Sequence, residues 1–263
     1  MKPALREYTY DVIVSFIRET VDGSGAGGVI LGLSGGIDSA LVMKLCCDAL
    51  GSGRVEALLL PATDAASTDE KDAGEYAASL GVRIHRFPID GAVSAIADAV
   101  GASDAKVLGN IKARVRMVYL YANANMRNLR VAGTGNKSEL LTGYFTKFGD
   151  GAVDFLPLGD IYKTEVRQLA SRLRLPEVFL VKPPSAGLWE GQTDEEELGI
   201  AYEQLDRILF AMENGLSAGE TARKTGLEAG LVDRVFSMVE GSGHKRAMAP
   251  IPRIGIRTVG VDW

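Results

Sequence analysis

The apolar positions of this chain alternate between short continuous runs and longer segments with helical spacing. The continuous runs predict four buried strands, at residues 29–31, 54–61, 82–88 and 129–133. The other segments carry apolar residues three and four positions apart, which predicts helices at residues 5–22, 40–45, 63–80, 90–100 and 104–127. Strands that alternate with helices predict an α/β fold, a Rossmann-like, doubly wound parallel sheet with helices on both faces.

Beyond residue 150 the pattern becomes helical, with segments at 163–173, 194–214, 217–225 and 227–239. We therefore expect one domain over residues 1–263. Its nucleotide-binding α/β core covers about residues 1–160, and a helical part covers about residues 161–263. A loop rich in Pro and Gly at residues 182–192 is either a connector or a mobile lid, and the basic tail at 241–249 is a second candidate lid.

Composition and charge narrow the class of protein. The 263 residues carry a formal net charge of −5, so no global basic field indicates a nucleic-acid partner. No apolar run approaches the roughly 20 residues that span a bilayer, and the N-terminus lacks a signal-peptide core. The only cysteines, Cys46 and Cys47, are adjacent, so they are expected to pack in a helix without an ordinary disulfide. These features predict a cytoplasmic, reducing location.

A glycine-rich turn follows the first predicted strand and precedes a helix. Residues 32–39 have the sequence Gly-Leu-Ser-Gly-Gly-Ile-Asp-Ser. Such a turn directs backbone N–H groups and the positive end of a helix toward an anion, most often phosphate. Asp38 occupies the place that a lysine has in the commoner phosphate loop. A carboxylate beside phosphate requires a cation between them, so the turn predicts Mg²⁺.

A second polar turn, residues 134–139, follows the fourth predicted strand. The carboxyl ends of parallel strands lie along one edge of a sheet, so this turn and residues 34–39 are expected to face one cleft. Glu139 is either an acid favoured by the helix dipole or, with Asp38, an oxygen ligand for Mg²⁺ on ATP phosphates.

Basic and aromatic residues supply further candidates. Arg114 lies in a cationic helix segment that is either a solvated face or a source of guanidinium groups for phosphate or carboxylate. In the turn at residues 143–154, Phe145 and Phe148 are either core residues or a surface that stacks a flat ring. His85 is expected to be structural in its strand, whereas His244 belongs to a basic tail that could close over an anion.

Three segments carry a family resemblance. The pattern Ser-Gly-Gly-x-Asp-Ser resembles the pyrophosphate loop of enzymes that split ATP into AMP and pyrophosphate. Residues 145–150, Phe-Thr-Lys-Phe-Gly-Asp, and 185–189, Ser-Ala-Gly-Leu-Trp, are similar to the ammonia-dependent NAD⁺ synthetases. The resemblance covers about residues 10–253.

The resemblance implies an adenine nucleotide alpha hydrolase-like fold and a carbon–nitrogen ligase. Such an enzyme amidates deamido-NAD⁺ with ammonia, using ATP and Mg²⁺, through an acyl-adenylate. The products are NAD⁺, AMP and pyrophosphate, in the last step of NAD⁺ biosynthesis. The family implies a homodimer with the dinucleotide site near the subunit interface. Glutamine-using members carry a further glutaminase domain for which 263 residues leave no room, so free ammonia is the expected nitrogen source.

The resemblance also implies roles for individual residues. The implied catalytic residues are Asp38, Glu139 and Lys163, of which Asp38 and Glu139 are the Mg²⁺ ligands. The implied ATP-binding residues are Gly32, Leu33, Ser34, Gly35, Gly36, Ile37, Asp38, Ser39, Thr134, Lys163 and Ser185. The implied deamido-NAD⁺-binding residues are Arg114, Lys147, Asp154, His244 and Lys245.

Other classes of protein share the glycine-rich loop. The tRNA-modifying thiolases and lysidine-type enzymes use it, but they call for a basic surface or reactive cysteines. A GMP-synthetase-type amidation module is another alternative, although residues 143–166 do not resemble one. A non-catalytic nucleotide-binding module would need no pair of Asp38 and Glu139. Conversion of ATP to pyrophosphate that depends on a carboxylate substrate would separate an enzyme from such a module.

Overall fold

The computed structural model describes residues 1–63, 67–185, 187, 192–260 and 262. Its centre is a sheet of four parallel strands, as the alternating pattern predicted. They are β1 Gly28–Gly32, β2 Val55–Leu59, β3 Arg83–Arg86 and β4 Leu129–Val131, in the spatial order β3-β2-β1-β4. From β1 the chain adds β2 and then β3 on one side of the sheet. It then crosses back, so that β4 pairs with the other side of β1. The strand order therefore reverses between β1 and β4, which is where sheets of this kind bind ligands.

Helices cover both faces of the sheet. The first five are α1 Thr9–Gly23, α2 Ile37–Leu50, α3 Thr68–Leu80, α4 Asp90–Val100 and α5 Ala105–Arg127. In β1, Val29 and Leu31 join an apolar core with α1, α2 and α3, whereas Ile30 joins a separate core with α4 and α5. This alternation confirms the doubly wound architecture.

Local sequence explains two features of this half. Ser67 begins α3 with a capping box, because its hydroxyl accepts from the Glu70 N–H at 3.2 Å and the Glu70 carboxylate accepts from the Ser67 N–H at 3.1 Å. Gly28 allows β1 to pair closely with the segment before β2, since a Cβ there would lie 2.1 Å from the Arg54 carbonyl oxygen.

The second half of the chain is helical, as predicted, with its own apolar core. Its helices are α6 Lys137–Thr142, α7 Lys163–Arg172, α8 Glu177–Val181, α9 Asp194–Leu198, α10 Tyr202–Glu213, α11 Ala218–Thr225, α12 Ala229–Gly241 and α13 Gly243–Arg246. The prediction of one helix over residues 194–214 is wrong. Gly199 adopts φ +63° and ends α9, and the Arg234 guanidinium binds the carbonyls of Leu198 and Gly199.

Several minor predictions have clear outcomes. Cys46 is fully buried in the core, as expected for a small apolar residue. His85 lies in β3 and pairs with Glu56 at 3.0 Å, which confirms its structural role. Among the described residues, no helix is long and apolar enough to cross a membrane. The predicted lid at 182–192 includes residues 186 and 188–191, which lie outside the described residues, so it stays a prediction.

Candidate active site

A buried lysine joins the two turns at the carboxyl edge of the sheet. Lys163, the first residue of α7, has a side chain that is only 2% exposed. Its ammonium nitrogen lies 2.5 Å from Asp38 Oδ2 and 3.4 Å from Glu139 Oε1. Asp38 follows β1 in the first turn of α2, and Glu139 follows β4 in the first turn of α6. The structure thus brings together the two loops that the parallel topology predicted would share a cleft.

Burial and charge act in opposite directions in this cluster. Burial alone would lower the pKa of Lys163, but Asp38 and Glu139 outweigh it, so that the pKa rises and the lysine remains charged. Burial raises the pKa of Glu139, which Lys163 opposes and Asp38 reinforces. The Glu139 carboxylate therefore has less positive charge around it than its ionised form requires, and an additional cation at this site would stabilise it.

Asn136, which the sequence did not single out, connects the two loops directly. The side chain is fully buried, and its Nδ2 donates to Asp38 Oδ1 at 3.0 Å. Its Oδ1 accepts from the Glu139 N–H at 3.1 Å, while the Asn136 N–H donates to Glu139 Oε2 at 3.1 Å. Asn136 therefore caps α6 and orients both carboxylates. The signal available in the sequence was the spacing of a capping box, Asn followed three residues later by Glu.

The helical half fixes the position of Lys163 through a buried carboxylate on α10. Asp206 accepts from the Ser138 hydroxyl at 2.5 Å and from the Thr164 N–H at 2.8 Å. The Ser138 hydroxyl in turn accepts from the Lys163 N–H at 2.9 Å. Burial raises the pKa of Asp206, and these donors oppose the rise. Asp206 thus ties the starts of α6 and α7 together, a role that no local pattern indicated.

Asp194 extends the acidic surroundings to the first residue of α9. Its side chain is 3% exposed, and its Oδ2 accepts from the Tyr202 hydroxyl at 3.1 Å. Its buried Oδ1 has no hydrogen-bond partner among the residues that the structure describes. Burial raises the pKa of Asp194, an effect that the charge of Lys163 opposes. The carboxylate is therefore held close enough to Lys163 to interact electrostatically.

The glycine-rich turn has the shape expected of an anion-binding loop. Gly35 adopts φ +80°, and the Ser34 hydroxyl accepts from the Gly36 N–H at 3.2 Å. The N–H groups in the first turn of α2, which begins at Ile37, have no carbonyl partner within the helix and remain available to a ligand. Of the other predicted ATP-binding residues, Thr134 is half-buried between β4 and α6, and Ser185 is exposed after α8.

A second group of cations lies near the far end of α6, roughly 9 Å from its start for six residues. The Lys147 ammonium donates to the His244 carbonyl at 2.5 Å, and the Arg114 guanidinium donates to the Lys147 carbonyl at 3.4 Å. The Lys245 ammonium donates to the carbonyls of Gly143 and Phe145 at 2.6 and 2.7 Å. We call Arg114, Lys147, His244 and Lys245 the tail cluster.

A cavity of about 270 Å³ lies at the tail cluster. Its lining includes Phe145, Phe148, Lys147 and Lys245. Phe148 is 63% exposed, and the Lys147 ammonium lies 5.3 Å from its ring centroid. Because Phe148 is exposed, we interpret it as a surface on which a flat ring can stack, and not as a core residue.

Asp154 lies apart from these contacts. Its Oδ2 accepts from the Val131 N–H of β4 at 2.7 Å, and its Oδ1 accepts from the Tyr121 hydroxyl of α5 at 3.2 Å. Tyr121 is seven residues from Arg114 on α5, so the two side chains share one face of that helix. Tyr121 and α5 therefore connect Asp154 to the side of the helix that carries Arg114.

Comparison with known proteins identifies this arrangement. The sequence model of the NAD synthase family matches residues 9–249. This chain belongs to the NAD synthase family. It is 49% identical over 249 residues to an NH3-dependent NAD⁺ synthetase from Archaeoglobus fulgidus, covering 94% of this chain and 97% of that protein. The family predicted from the three sequence segments is thus confirmed.

Solved structures of NAD synthase relatives share the whole fold. An NMN synthetase from Francisella tularensis matches with a TM-score of 0.83 at 35% identity, covering 94% of this chain and 98% of that chain. An NH3-dependent NAD synthetase from Campylobacter jejuni, in complex with the nitrate ion, matches with a TM-score of 0.81 at 33% identity, covering 95% and 100%. The predicted fold, with its pyrophosphate loop and Rossmann-like sheet, is confirmed.

The contacts of Asn136 generate a prediction about this NAD synthase. Asn136→Ala removes the cap of α6 and should lower the free energy of unfolding by about 0.5–2 kcal/mol. Asn136→Asp keeps an oxygen that accepts from the Glu139 N–H, but it places a second carboxylate beside Asp38. The loss in the free energy of unfolding caused by this repulsion should become smaller when acid neutralises the carboxylates. Chemical denaturation at neutral and acidic pH measures both effects. A pH-independent deficit for Asn136→Asp would contradict the proximity to Asp38.

Proposed function

We propose that this protein amidates deamido-NAD⁺ with ammonia, converting ATP to AMP and pyrophosphate and completing NAD⁺ biosynthesis. The observation that carries the proposal is the contact of Lys163 with Asp38 and Glu139 where the strand order reverses, one short helix from the tail cluster. The Archaeoglobus relative, matched over 97% of its length, is named NH3-dependent, which supports ammonia as the nitrogen source.

The proposed reaction has two steps. The nicotinate carboxylate attacks the α-phosphorus of ATP, forming an acyl-adenylate and releasing pyrophosphate. Ammonia then attacks the acyl carbon, loses a proton and displaces AMP. Lys163 and the N–H groups of the glycine-rich loop would neutralise phosphate charge in the first step, and the fixed positions of both substrates would favour attack.

The two groups of cations suit the two substrates. ATP would lie against the glycine-rich loop, residues 32–39, with Thr134, Lys163 and Ser185. Deamido-NAD⁺, a dianionic dinucleotide with a carboxylate, would bind the tail cluster together with Asp154. The exposed ring of Phe148 lies in the same cavity and offers a stacking surface for a base. We also propose that residues 1–263 form one domain. The proposed substrates lead us to infer a cytoplasmic location.

Mg²⁺ fits the carboxylates of the site. Asp38 and Glu139 already contact one ammonium group, so they are placed to share one cation. Burial raises the pKa of Glu139, and further positive charge would stabilise its ionised form. Among the described residues, no group of three or more His, Cys, Asp or Glu could hold a metal alone. Phosphate oxygens and water would complete the coordination, as is usual for Mg²⁺, which supplies charge neutralisation when bound.

The activity is tested by incubating the protein with ATP, Mg²⁺ and ammonium and measuring NAD⁺ and pyrophosphate. We expect both products with deamido-NAD⁺ as acceptor, and none when glutamine replaces ammonium. The similarity to an NMN synthetase makes nicotinate mononucleotide the matched competing acceptor. A higher kcat/KM with the mononucleotide would overturn deamido-NAD⁺ as the preferred substrate.

The metal assignment is tested with Asp38→Asn, which keeps the shape of the side chain but removes its charge. We expect turnover to fall by about 100-fold or more, since a metal ligand and the partner of Lys163 are lost together. Circular dichroism should show an intact fold, and thermal unfolding should show a lower Tm because the buried Lys163 loses one of its two carboxylate partners. Normal turnover with unchanged dependence on Mg²⁺ would exclude Asp38 as a ligand.

We also propose that the protein is a homodimer through the outward face of α5. Val107, Val118 and Met126 are exposed along this helix, with Val118 at 58%, and Arg114 of the tail cluster lies one turn from Val118. An exposed apolar helix face is typical of an interface between subunits. A partner on this face would also cover the side of α5 that leads to Asp154.

Sedimentation velocity tests this interface. Val118→Arg places a charge in the apolar face and should convert the dimer to monomers or weaken it by more than about tenfold. Val181→Arg, at an exposed valine on α8, is the matched control and should sediment as the unaltered protein does. An unaltered protein that is monomeric, or a Val118→Arg dimer of equal affinity, would contradict the proposal.

A further inference from the structure

Lys182 contacts the glycine-rich loop at the Gly35 carbonyl. This residue directly follows α8, and its ammonium nitrogen lies 3.2 Å from the Gly35 carbonyl oxygen. The same ammonium forms an ion pair with Asp69 in the first turn of α3. The side chain is 28% exposed, so it remains accessible to a ligand. Neither the sequence patterns nor the family resemblance gave this lysine a role.

Close packing holds Lys182 against the loop. Gly35 adopts φ +80°, and a Cβ at that position would lie 2.7 Å from the Asp69 carbonyl oxygen. The first turn of α3 therefore packs directly on the loop, and the ion pair with Asp69 keeps Lys182 beside it. The ammonium is placed at the rim of the same turn whose N–H groups are available to phosphate.

The carboxylates around the loop favour an additional cation beside it. Asp38, Glu139 and Asp69 are carboxylates close to the loop, and the buried Lys163 is already paired with the first two. A pyrophosphate group adds several negative charges to this acidic environment. A lysine has three donors on a flexible stem, so Lys182 can exchange Asp69 for phosphate while it stays near the Gly35 carbonyl.

The proposed reaction indicates which part of ATP Lys182 would bind. The nicotinate carboxylate would approach from the tail cluster, past Glu139 and Lys163. In an in-line displacement the leaving group departs opposite the nucleophile, so the β- and γ-phosphates would be the part of ATP that the loop and Lys182 hold.

We propose that Lys182 binds the β- and γ-phosphates of ATP and the pyrophosphate product, with Asp69 as its partner when no phosphate is bound. The inference rests on the proposed use of ATP and adds a phosphate-binding residue to it. Asp69 is a positioning residue that competes with phosphate for the ammonium.

Calorimetric titration of the full chain with pyrophosphate and Mg²⁺, and separately with AMP, tests this role. Lys182→Met keeps the aliphatic stem and should weaken pyrophosphate binding by roughly 10- to 100-fold, the effect of losing a charge-assisted hydrogen bond. AMP, which lacks the β- and γ-phosphates, should bind as before. Lys182→Arg should restore most of the affinity. The control is Lys71→Met, because Lys71 is a 73% exposed lysine of α3 that pairs only weakly with Glu75.

Asp69→Asn provides an independent measurement that leaves Lys182 intact. It should tighten pyrophosphate binding several-fold, and this gain should disappear in the Lys182→Met background. Glu75→Gln on the same helix is the control and should change nothing. If Lys182→Met does not fold, as thermal unfolding would show, the gain with Asp69→Asn and the rescue with Lys182→Arg decide the question.

Two results would overturn the inference: equal pyrophosphate affinity with and without the Lys182 ammonium, or equal weakening of pyrophosphate and AMP. The second would mean that the substitution only deforms the loop. The proposed function fails separately, if the unaltered protein forms no NAD⁺ from deamido-NAD⁺. Pyrophosphate binding that depends on Lys182 would still stand in that case.

Discussion

The buried ion pairs of Lys163 with Asp38 and Glu139 are the interaction on which the rest of this molecule depends. A buried ammonium carries a large desolvation penalty, and it persists only where opposite charges surround it. Here those charges come from two loops that are far apart in sequence and follow β1 and β4. The contact therefore fixes the relative positions of the glycine-rich loop, the turn before α6 and the start of α7. The proposed chemistry would use the same three side chains that hold these segments together.

The N-terminal ends of helices explain why several carboxylates can lie close together around Lys163. Asp38, Glu139, Lys163 and Asp194 all lie in the first turns of α2, α6, α7 and α9. The positive end of a helix dipole stabilises a nearby carboxylate, and several such ends converge on the cleft. The same ends attract phosphate, so the features that hold the acidic site together also prepare it for a polyanion. Burial nevertheless raises the pKa of Glu139, so a further cation would stabilise its ionised form.

Sequence reasoning found the parts of the site that depend on local order and missed those that depend on distant partners. The loop at 32–39 and Glu139 follow predicted strands, and parallel topology alone requires the two loops to meet. Asn136 reaches Asp38 across 98 positions, Asp206 reaches Ser138 across 68, and Lys182 reaches Gly35 across 147. A single Asn, Asp or Lys carries no sequence pattern that predicts a contact with a residue so far away in the chain.

The helix boundaries show the same limit. The sequence predicts one helix over residues 194–214, yet Gly199 ends α9 with φ +63°, and its carbonyl and that of Leu198 bind a guanidinium from α12. The break matters for the site, because it lets α9 and α10 take separate directions. Asp194 can then approach Lys163 from one helix while Asp206 holds the start of α7 from the other. A single straight helix could not supply both carboxylates.

The net charge of −5 is compatible with polyanionic substrates because positive charge is present at three places near the ends of α6 and the glycine-rich loop. The tail cluster lies near the end of α6, Lys163 lies at its start, and Lys182 contacts the glycine-rich loop. A carboxylate that enters at the first position would meet the α-phosphorus near the second, while pyrophosphate leaves toward the third. Each cation is paired with a carbonyl or carboxylate when no substrate is present, so none is left as an uncompensated buried charge. Cations at these three positions would allow an acidic protein to bind polyanionic substrates and to neutralise phosphate charge locally.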